Sequence, residues 1–389
     1  MTLNLVRAGD VAEQIRGVSY GKEDAVNAPQ TGFVPVLRAG NISDYGLVFD
    51  DLVYVPEARV SEKQTIRKGD VIFAASSGSL DVVGKAAPAL SDYRGGFGAF
   101  CKVMRPDTSK VEPTYFAQYF RTVEYRRKIS SLAAGANINN LKNEHLDDLL
   151  IPLPPLPEQR RIAAILDQAD ALRAKRRETL AQLDSLTQSI FIEMFGDPAA
   201  NPKDFPARTL GEIIKFEGGS QPPASTFSSE DAPDRIRLVQ IRDFKSDRYK
   251  TYIPRKLCKR FFEEDDIMIG RYGPPVFQIL RGLSGSYNVA LMKAVPRDGV
   301  TKDFVFHLLK EARLHNFVVA NSERTAGQSG VNLELLENYQ AYLPPLDLQI
   351  QFSQKMSQLK NMMGAMSEAQ LASDSLFASL QHRAFRGEL

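Results

Sequence analysis

Two long stretches of the chain repeat apolar positions at three- and four-residue steps, and both begin with the same motif. PLPPLPEQRRI at residues 152–162 and PPLDLQIQF at residues 344–352 align Pro-Pro-Leu and the following Gln at an offset of 190 residues. The offset continues without a gap, so that Phe195 falls on Phe385. Proline stops earlier structure and is tolerated just before a helix. The pattern predicts two long helices of matched length.

The apolar stripe of each helix is narrow, and a narrow stripe needs a partner helix. Its members are Ile162, Ile165, Leu166, Ala169, Leu172, Leu183, Leu186, Ile190 and Met194 in the first copy, and Phe352, Met356, Leu359, Met363, Met366, Leu376 and Leu380 in the second. The obvious partner of each helix is the other copy. About 38 residues at 1.5 Å each give a rod of roughly 57 Å. An antiparallel pair would hold a globular part at each end and fix the distance between them.

The rest of the chain is also duplicated, as a mixture of short strands, turns and helices. Short buried strands are predicted at 71–73 and 267–269, and amphipathic helices at 115–127 and 304–313. The predicted fold class is therefore α+β, with an internal tandem repeat in which two globular domains are joined by two long antiparallel coiled-coil helices. The predicted boundaries are 1–153 and 198–343 for the globular domains and 154–197 and 344–389 for the helices.

The composition predicts a soluble, cytoplasmic protein and says little else about its function. The chain is 43% hydrophobic and 25% charged, with a net charge of +2, so any charge-based argument must be local. Cys101 and Cys258 lack the spacing of a zinc site or a disulfide framework, which fits a reducing cytosol. No apolar stretch approaches the length of a membrane span. We therefore expect neither a metal site nor a membrane partner.

Catalytic motifs are missing from the sequence. GSLDVVGKA at residues 78–86 resembles a phosphate-binding loop, but five residues separate its glycines and Ala86 stands where Ser or Thr is needed. No GxGxxG, HExxH or GxSxG pattern is present, nor an Asn/Asp-Pro-Pro-aromatic loop. The four histidines are scattered. We expect a chain with no catalytic residue and no cofactor of its own.

Local charge favours contact with nucleic acid in the second half. Residues 231–260 carry ten Lys or Arg against four Asp, a net of +6, with Tyr249 and Tyr252 among them and Phe261–Phe262 directly after. Such a stretch suits phosphate contacts, with some side chains left to read base edges. A solvated basic loop beside a core strand is the alternative. The basic run at 173–177 is either a solvated helix face or a contact with phosphate or an acidic partner.

At this level the sequence resembles the DNA-specificity subunits of type I restriction-modification enzymes. The resemblance rests on PLPPLPEQRRIAAILDQADAL after residue 151, on FIEMFGDP at 191–198 and on the terminal AFRGEL. RAGNISD, KGDVIFAASSGS and AGANINNL support it in the first half. The second half departs from the pattern at Asp265–Asp266, at PPLDLQ and at Gly273-Pro274-Pro275.

This resemblance implies that two target-recognition domains each read one half of a bipartite, asymmetric site on double-stranded DNA. It implies that the helices set the spacer and bind two methyltransferase subunits, which supply S-adenosylmethionine binding and adenine methylation. Restriction subunits with ATP- and Mg-dependent translocase and nuclease activity would join them. Two alternatives stay open: a recognition subunit of a combined methyltransferase-nuclease system, and a coiled-coil scaffold that reads no DNA.

Candidate DNA-contacting residues are polar, lie in or beside predicted loops and flank the short buried strands. In the first domain they are Arg38, Asn41, Ser77, Lys85 and Arg94, and in the second they are Arg242, Lys245, Arg271, Tyr272 and Gln328. Arginine can bind a base edge through two hydrogen bonds, whereas lysine and arginine on loops suit phosphates.

Overall fold

The computed structural model divides into two compact units. Contacts between residues group Met1–Thr179 with Met366–Leu389 in the first unit, and Leu180–Ala365 in the second. The structure describes residues 4–79, 81–134, 140–197, 200–273, 275–325 and 328–389. Residues 135–139 of the AGANINNL motif, Pro198 of FIEMFGDP and Pro274 lie outside these ranges.

Among the described residues, the first unit consists of small, mostly antiparallel sheets, three helices of its own and parts of the two long helices. Its strands are β1 (Leu5–Arg7), β2 (Ala12–Arg16), β3 (Phe33–Leu37), β4 (Ile42–Ser43), β5 (Gly46–Leu47), β6 (Val53–Pro56), β7 (Val71–Ala74), β8 (Ala86–Pro88), β9 (Gly96–Phe97), β10 (Cys101–Pro106) and β11 (Leu150–Pro152). Its helices are α1 (Pro113–Tyr119), α2 (Val123–Ala134), α3 (Asn143–Asp147) and the start of α4 (Leu156–Phe195). The main sheets have the orders β2-β10-β7-β8 and β6-β3-β9.

The second unit repeats this arrangement. Its strands are β12 (Ala207–Thr209), β13 (Ile214–Gly218), β14 (Arg235–Val239), β15 (Tyr252–Pro254), β16 (Phe261–Phe262), β17 (Ile267–Gly270), β18 (Tyr272–Gly273), β19 (Gln278–Leu280), β20 (Gly285–Tyr287), β21 (Leu291–Pro296), β22 (Glu323–Thr325), β23 (Gln328–Gly330) and β24 (Gln340–Tyr342). Its helices are α5 (Leu210–Ile213), α6 (Lys302–Leu309), α7 (Ala312–Ala320), α8 (Leu333–Glu337) and the start of α9 (Leu346–Ala384).

The sheet orders show the duplication directly. β13-β21-β17-β19 matches β2-β10-β7-β8, and β15-β14-β20-β16 matches β6-β3-β9 with one strand added. In both units the pair β3·β9 or β14·β20 is parallel, whereas its other neighbours are antiparallel. The first unit adds the hairpin β4·β5, and the second adds the sheet β18-β23-β22. The predicted α+β fold with a tandem repeat and two long helices is confirmed.

A glycine at the end of the first sheet strand makes the same close approach in both units. A Cβ on Gly17 would lie 2.0 Å from the carbonyl oxygen of Gly98, and a Cβ on Gly219 would lie 2.0 Å from that of Asn288. No side chain fits between two backbones at that distance, so only glycine is tolerated at either position. The paired glycines visible in the sequence therefore have a packing reason.

The repeated Pro-Pro-Leu-x-x-Gln motif fixes the start of each long helix to its globular part. Gln159 is fully buried, and its Oε1 accepts the backbone N–H of Glu112 at 2.8 Å while its Nε2 donates to the Pro154 carbonyl at 2.7 Å. Gln349 does the same with the N–H of Thr301 at 2.9 Å and the Pro344 carbonyl at 2.8 Å. The glutamine thus satisfies backbone groups at the start of α1 or α6 that would otherwise be buried without partners.

The helices predicted at 115–127 and 304–313 are each two helices in the structure, so the single-helix predictions were wrong. Thr122 interrupts the first, because its Oγ1 donates to the Tyr119 carbonyl and accepts the N–H of Tyr125, which caps α2. In the second half, α6 ends at Leu309 and α7 begins at Ala312. Hydroxyl groups compete with helical hydrogen bonds, which accounts for the break at Thr122.

Within the first unit, the start of α4 packs against the end of α9 in an antiparallel sense. Arg173 forms ion pairs with Asp374 at 2.6 Å and Asp170 at 2.8 Å, and its guanidinium lies 4.2 Å from the centre of the Phe377 ring. Arg176 donates to the Ala369 carbonyl and the Ser373 hydroxyl. At least one arginine of the basic run at 173–177 thus has its acidic partner within the same chain, in Asp374 of α9. A fully solvated face is ruled out for Arg173.

Within the second unit, the start of α9 packs against the end of α4 through aromatic rings. Phe352 at the start of α9 has its ring centre 5.7 Å from that of Phe191 and 5.2 Å from that of Phe195, near the end of α4. All three rings are fully buried and belong to the core of that unit. The matching positions of Phe352 and Phe195 in the first unit, Ile162 and Phe385, are also buried in an apolar core.

Candidate nucleic-acid interface

In the first unit, five loops that follow strands β2, β3, β5, β7 and β9 meet around a groove of about 1040 Å³. Tyr20 and Lys22 come from the first loop, Arg38 from the second, Ser76 from the fourth and Phe100 from the fifth. Loops on a rigid scaffold are the usual place for binding residues. Of the five residues predicted in this domain, the groove brings together Arg38 and Asn41.

Asn41 is buried and its side chain holds the loop that carries Arg38. Its Oδ1 accepts the N–H of Arg38 at 2.8 Å, and its Nδ2 donates to the carbonyls of Val48 and Asp50. An amide committed to three backbone groups has little capacity left for a base. Arg38 itself is half-exposed and forms a 2.7 Å ion pair with Asp51, whose side chain is almost fully exposed. The geometry makes Asn41 a positioning residue and leaves Arg38 as the group that can reach a ligand.

The other three predicted residues of this domain lie outside the groove lining. Ser77 follows Ser76 and accepts the N–H of Ser79 at 3.3 Å. Lys85 pairs with Asp44 of the β4·β5 hairpin at 2.8 Å. Arg94 is exposed and pairs with Glu57 at 3.2 Å. Surface ion pairs such as those of Lys85 and Arg94 are weak, so either side chain can exchange its carboxylate for a phosphate. The pairs themselves do not show whether this surface binds DNA.

A second groove of about 470 Å³ shares Ser19 and Ala99 with the first. Arg16, Lys102 and Lys142 line it. Lys102 is structural, because its Nζ donates to the Leu141 carbonyl at 2.6 Å and to Asn143 at 2.8 Å, and burial lowers its pKa. Arg16 and Lys142 are exposed. Sequence reasoning missed these two residues and Phe100, because no pattern shows which strand ends share an edge.

The second unit repeats the loop built around Asn41 with an aspartate. Asp243 Oδ2 accepts the N–H of Gln240 at 2.7 Å, and burial raises the pKa of this carboxyl. The adjacent Arg242 is exposed, and its guanidinium lies 5.6 Å from the centre of the Tyr249 ring. The Lys245 backbone N–H donates to the Arg242 carbonyl at 3.0 Å, while its side chain is exposed and has no hydrogen bond or ion pair among the residues that the structure describes. Arg242 and Lys245 therefore present positive charge to solvent on a loop whose backbone is held by the buried Asp243.

The remaining predicted residues of the second domain lie on neighbouring strands. Arg271 directly precedes β18, which contains Tyr272, and β18 pairs with β23, which begins at Gln328. The Arg271 guanidinium lies 5.4 Å from the centre of the Tyr272 ring. The side chain of Gln328 is outside what the structure describes. Sequence reasoning thus selected three residues that the β18·β23 pairing brings close together.

One hydrogen-bonded backbone pair recurs in both units with exchanged side chains. In the first unit the N–H of Ala75, directly after β7, donates to the carbonyl of Phe100 at 2.8 Å. In the second unit the N–H of Arg271, directly after β17, donates to the carbonyl of Ala290 at 2.9 Å. Ala75 and Arg271 occupy equivalent positions, as do Phe100 and Ala290. The large side chain is therefore on the carbonyl partner in the first unit and on the N–H partner in the second. This pair is called the exchange pair below.

Much of the basic stretch at 231–260 is used within the unit. Arg237 pairs with Asp247 at 2.9 Å and Lys250 pairs with the same carboxylate at 3.0 Å. Tyr249 has a second guanidinium, that of Arg248, 5.3 Å from its ring centre. Lys256 and Lys259 are exposed and have no ion pair among the described residues. Some basic residues of this stretch therefore hold the fold of the unit, and others, such as Lys256 and Lys259, form an exposed positive surface.

The grooves offer little to catalysis. Burial raises the pKa of the Cys101 thiol to about 12, so the thiolate that a nucleophile needs is not formed near neutral pH. Among the residues that the structure describes, no group of three His, Cys, Asp or Glu is placed to hold a metal ion. Within the same ranges, none of the helices combines the length and the hydropathy that a membrane span needs. The arrangement suits binding through cations, amides and aromatic rings.

Comparisons with known proteins agree with this geometry. Residues 2–183 match the family described as the type I restriction modification DNA specificity domain. The chain is 28% identical to the type I restriction enzyme StySPI specificity subunit of Salmonella potsdam, and 30% identical to the type I restriction enzyme EcoKI specificity subunit of Escherichia coli (strain K12). Each alignment covers 97% of this chain and 87% of the relative.

A solved structure shares the fold over the whole chain. It comes from work on the structural basis underlying complex assembly and conformational transition of the type I R-M system. The match covers 100% of both chains with a TM-score of 0.57 and 20% sequence identity.

Proposed function

The chain belongs to the type I restriction-modification DNA-specificity subunits, and from this membership we propose that it reads a bipartite, asymmetric DNA site for such a complex. One observation carries the proposal for this chain: two units share a scaffold down to Gly17 and Gly219, yet differ in the side chains on their loops. One scaffold with two sets of side chains suits two half-sites of different sequence.

The chain acts in this proposal as the recognition and assembly subunit and performs no catalysis. Two methyltransferase subunits bind it and supply S-adenosylmethionine binding and adenine methylation. Restriction subunits supply the ATP- and Mg-dependent steps. The long helices, matched in length from their repeated motif onward, set the gap between the half-sites. Supplying labelled S-adenosylmethionine and DNA to the chain alone should give no labelled DNA, and incorporation by the chain alone would end this assignment.

The candidate residues take different roles in the proposal. Arg271 reads a base edge, because its backbone is fixed on both sides by the Ala290 carbonyl and the N–H of Val331. Lys245 contacts phosphate, because it is exposed and unpaired on a loop. Asn41 positions Arg38. Ser77, Lys85, Arg94, Arg242, Tyr272 and Gln328 are assigned to the DNA-facing surface.

The test compares Arg271→Ala with Lys245→Ala in the complex with methyltransferase subunits. Binding selection from randomised DNA should show that Arg271→Ala relaxes one base position in one half-site, at about 1–3 kcal/mol, and leaves the other half-site intact. Lys245→Ala should weaken binding to all sequences and lower the dependence of log affinity on log salt by about one. A uniform loss for Arg271→Ala would make Arg271 a phosphate contact.

A further inference from the structure

The turn at 98–101 forms the ridge between the two grooves of the first unit. Gly98, Ala99 and Phe100 line the larger groove, and Ala99 and Cys101 line the smaller. Cations lie on both sides, Arg38 and Lys22 in one groove and Arg16 and Lys142 in the other. Asp50 and Asp51 also line the larger groove, and Glu144 lines the smaller. A ridge with cations on both sides is a shape that can enter a groove of DNA while those cations reach the phosphates on either side.

Phe100 stands on this ridge with 68% of its surface exposed. A single exposed apolar residue is ordinary on a protein surface, so exposure alone carries no weight. Its backbone, however, is held tightly. The Phe100 carbonyl accepts the N–H groups of both Ala75 and Ser76, at 2.8 and 3.0 Å, and the N–H of Cys101 closes the turn on the Gly98 carbonyl at 2.8 Å. The aromatic ring is therefore presented to solvent from a rigid base.

The exchange pair gives an independent comparison. The second unit makes the same turn, in which the N–H of Leu291 donates to the Asn288 carbonyl at 3.0 Å. At the position of Phe100 it carries Ala290, and the large side chain is Arg271 on the neighbouring backbone. The scaffold therefore does not require an aromatic ring at this turn. The ring is a property of the first unit's surface.

We propose that Phe100 is a wedge that inserts between two stacked bases in the half-site read by the first unit. This inference rests on the proposed function. Apolar side chains that enter a base step partly unstack it and bend the duplex, which favours steps that deform easily. Phe100 thus gives specificity through base stacking, whereas Arg271 gives it through hydrogen bonds. The carboxylates of Asp51 and Glu144, which face Arg38 and Lys142, release those cations to phosphate on binding.

The experiment uses the complex with methyltransferase subunits and its selected DNA site. 2-Aminopurine replaces, one at a time, adenines other than the methylated one, and its fluorescence reports local unstacking. Wild type should raise the fluorescence at one step of one half-site. Phe100→Ala should abolish that rise and lower affinity roughly 5- to 100-fold, with an unchanged salt slope. Phe100→Leu should retain most of both effects, because leucine can also act as a wedge.

Leu90→Ala is the matched control, since Leu90 is 82% exposed in the same unit and lines neither groove. It should change neither fluorescence nor affinity. The wedge is refuted if the fluorescence rise persists in Phe100→Ala, or if replacing one thymine by deoxyuridine reproduces the loss, which would show a contact with a thymine methyl group instead. Absence of specific binding by the wild-type complex would refute the proposed function itself, so the two failures are distinguishable.

Discussion

Gly17 in the first unit and Gly219 in the second meet the same carbonyl obstacle at 2.0 Å, whereas the exchange pair nearby carries Ala75 with Phe100 in one unit and Arg271 with Ala290 in the other. The first comparison concerns backbone packing and allows no variation. The second allows the large side chain to differ, an exposed aromatic ring at Phe100 in one unit and the half-exposed guanidinium of Arg271 in the other. The two copies therefore keep the same residue where two backbones touch, as at Gly17 and Gly219. They differ at the exchange pair, where the side chain can vary without moving the backbone.

The seam of the long helices shows the same division. Gln159 and Gln349 make matching hydrogen bonds, whereas the ion pair of Arg173 with Asp374 has no counterpart in the second copy, where Met363 stands at the position of Arg173. The anchoring of each helix is thus common to both units, and the contacts further along are specific to each.

The largest expected effect is on the common glycines. Gly17→Ala and Gly219→Ala should each destabilise their own unit by roughly 2–4 kcal/mol, because the new Cβ overlaps a backbone oxygen that cannot move alone. Hydrogen exchange read by mass spectrometry separates the two units, which a single melting temperature would not. Gly40→Ala and Gly218→Ala, where a Cβ meets nothing within 4 Å, are the controls. A large loss in one unit alone would break the equivalence of the two scaffolds.

Next in size are the helix anchors. Gln159→Ala and Gln349→Ala should each cost about 2–3 kcal/mol, because the backbone N–H of Glu112 or Thr301 loses its acceptor and a cavity remains where the fully buried glutamine stood. Faster exchange should appear at the start of α1 in the first variant and of α6 in the second. The exposed glutamines Gln168 and Gln354 on the same two helices provide alanine controls without an expected loss. Unequal losses would sharpen the comparison by showing which helix depends more on its motif.

The smallest expected effect on stability concerns two equivalent carboxyl groups, one in each unit, that have different ion-pair partners. Asp70 and Asp266 each accept a backbone N–H at the turn before a central strand, but Asp70 pairs with Arg105 and Asp266 with two lysines, Lys293 and Lys302. Burial alone would raise the pKa of Asp266; the hydrogen bonds from the lysines and from the N–H of Glu263 outweigh it and lower the pKa to about 2.

Because the folded pKa of Asp266 lies below its ordinary value of 3.8, the folded state releases this proton more readily than the unfolded chain. The resulting stability is present above about pH 4 and is lost as the pH falls towards 2. Asp266→Asn should therefore destabilise the second unit at neutral pH by about 1–2 kcal/mol, with a difference from wild type that shrinks across that window. A difference independent of pH down to 2 would assign the loss to packing rather than to charge.

Sequence reasoning predicted the duplication, the two long helices and the α+β class, and these predictions are confirmed. It was wrong about the single helices at 115–127 and 304–313. In the first, the hydroxyl of Thr122 caps α2 through geometry that apolar spacing does not contain. The division at 1–153, 154–197, 198–343 and 344–389 stays a prediction, since contacts group residues by proximity and divide each helix between the two units.

For the candidate site, local polarity selected Arg38, Arg242, Lys245 and Arg271 as exposed or half-exposed loop residues, but it also selected Asn41, which the fold buries. It overlooked Phe100, because an aromatic residue next to a buried strand is usually read as core.

The sequence alone determined what depends on residues close together in the chain or repeated at a fixed offset: the proline starts, the helical stripes and the family resemblance. Only the tertiary structure decided which loops share an edge, that Gln159 and Gln349 cap backbone groups about fifty residues upstream, and that Phe100 lies beside Ala75 as Arg271 lies beside Ala290. The physical reason is that periodicity reports the burial of one element's face, whereas a site depends on strand pairings whose partners are distant in sequence.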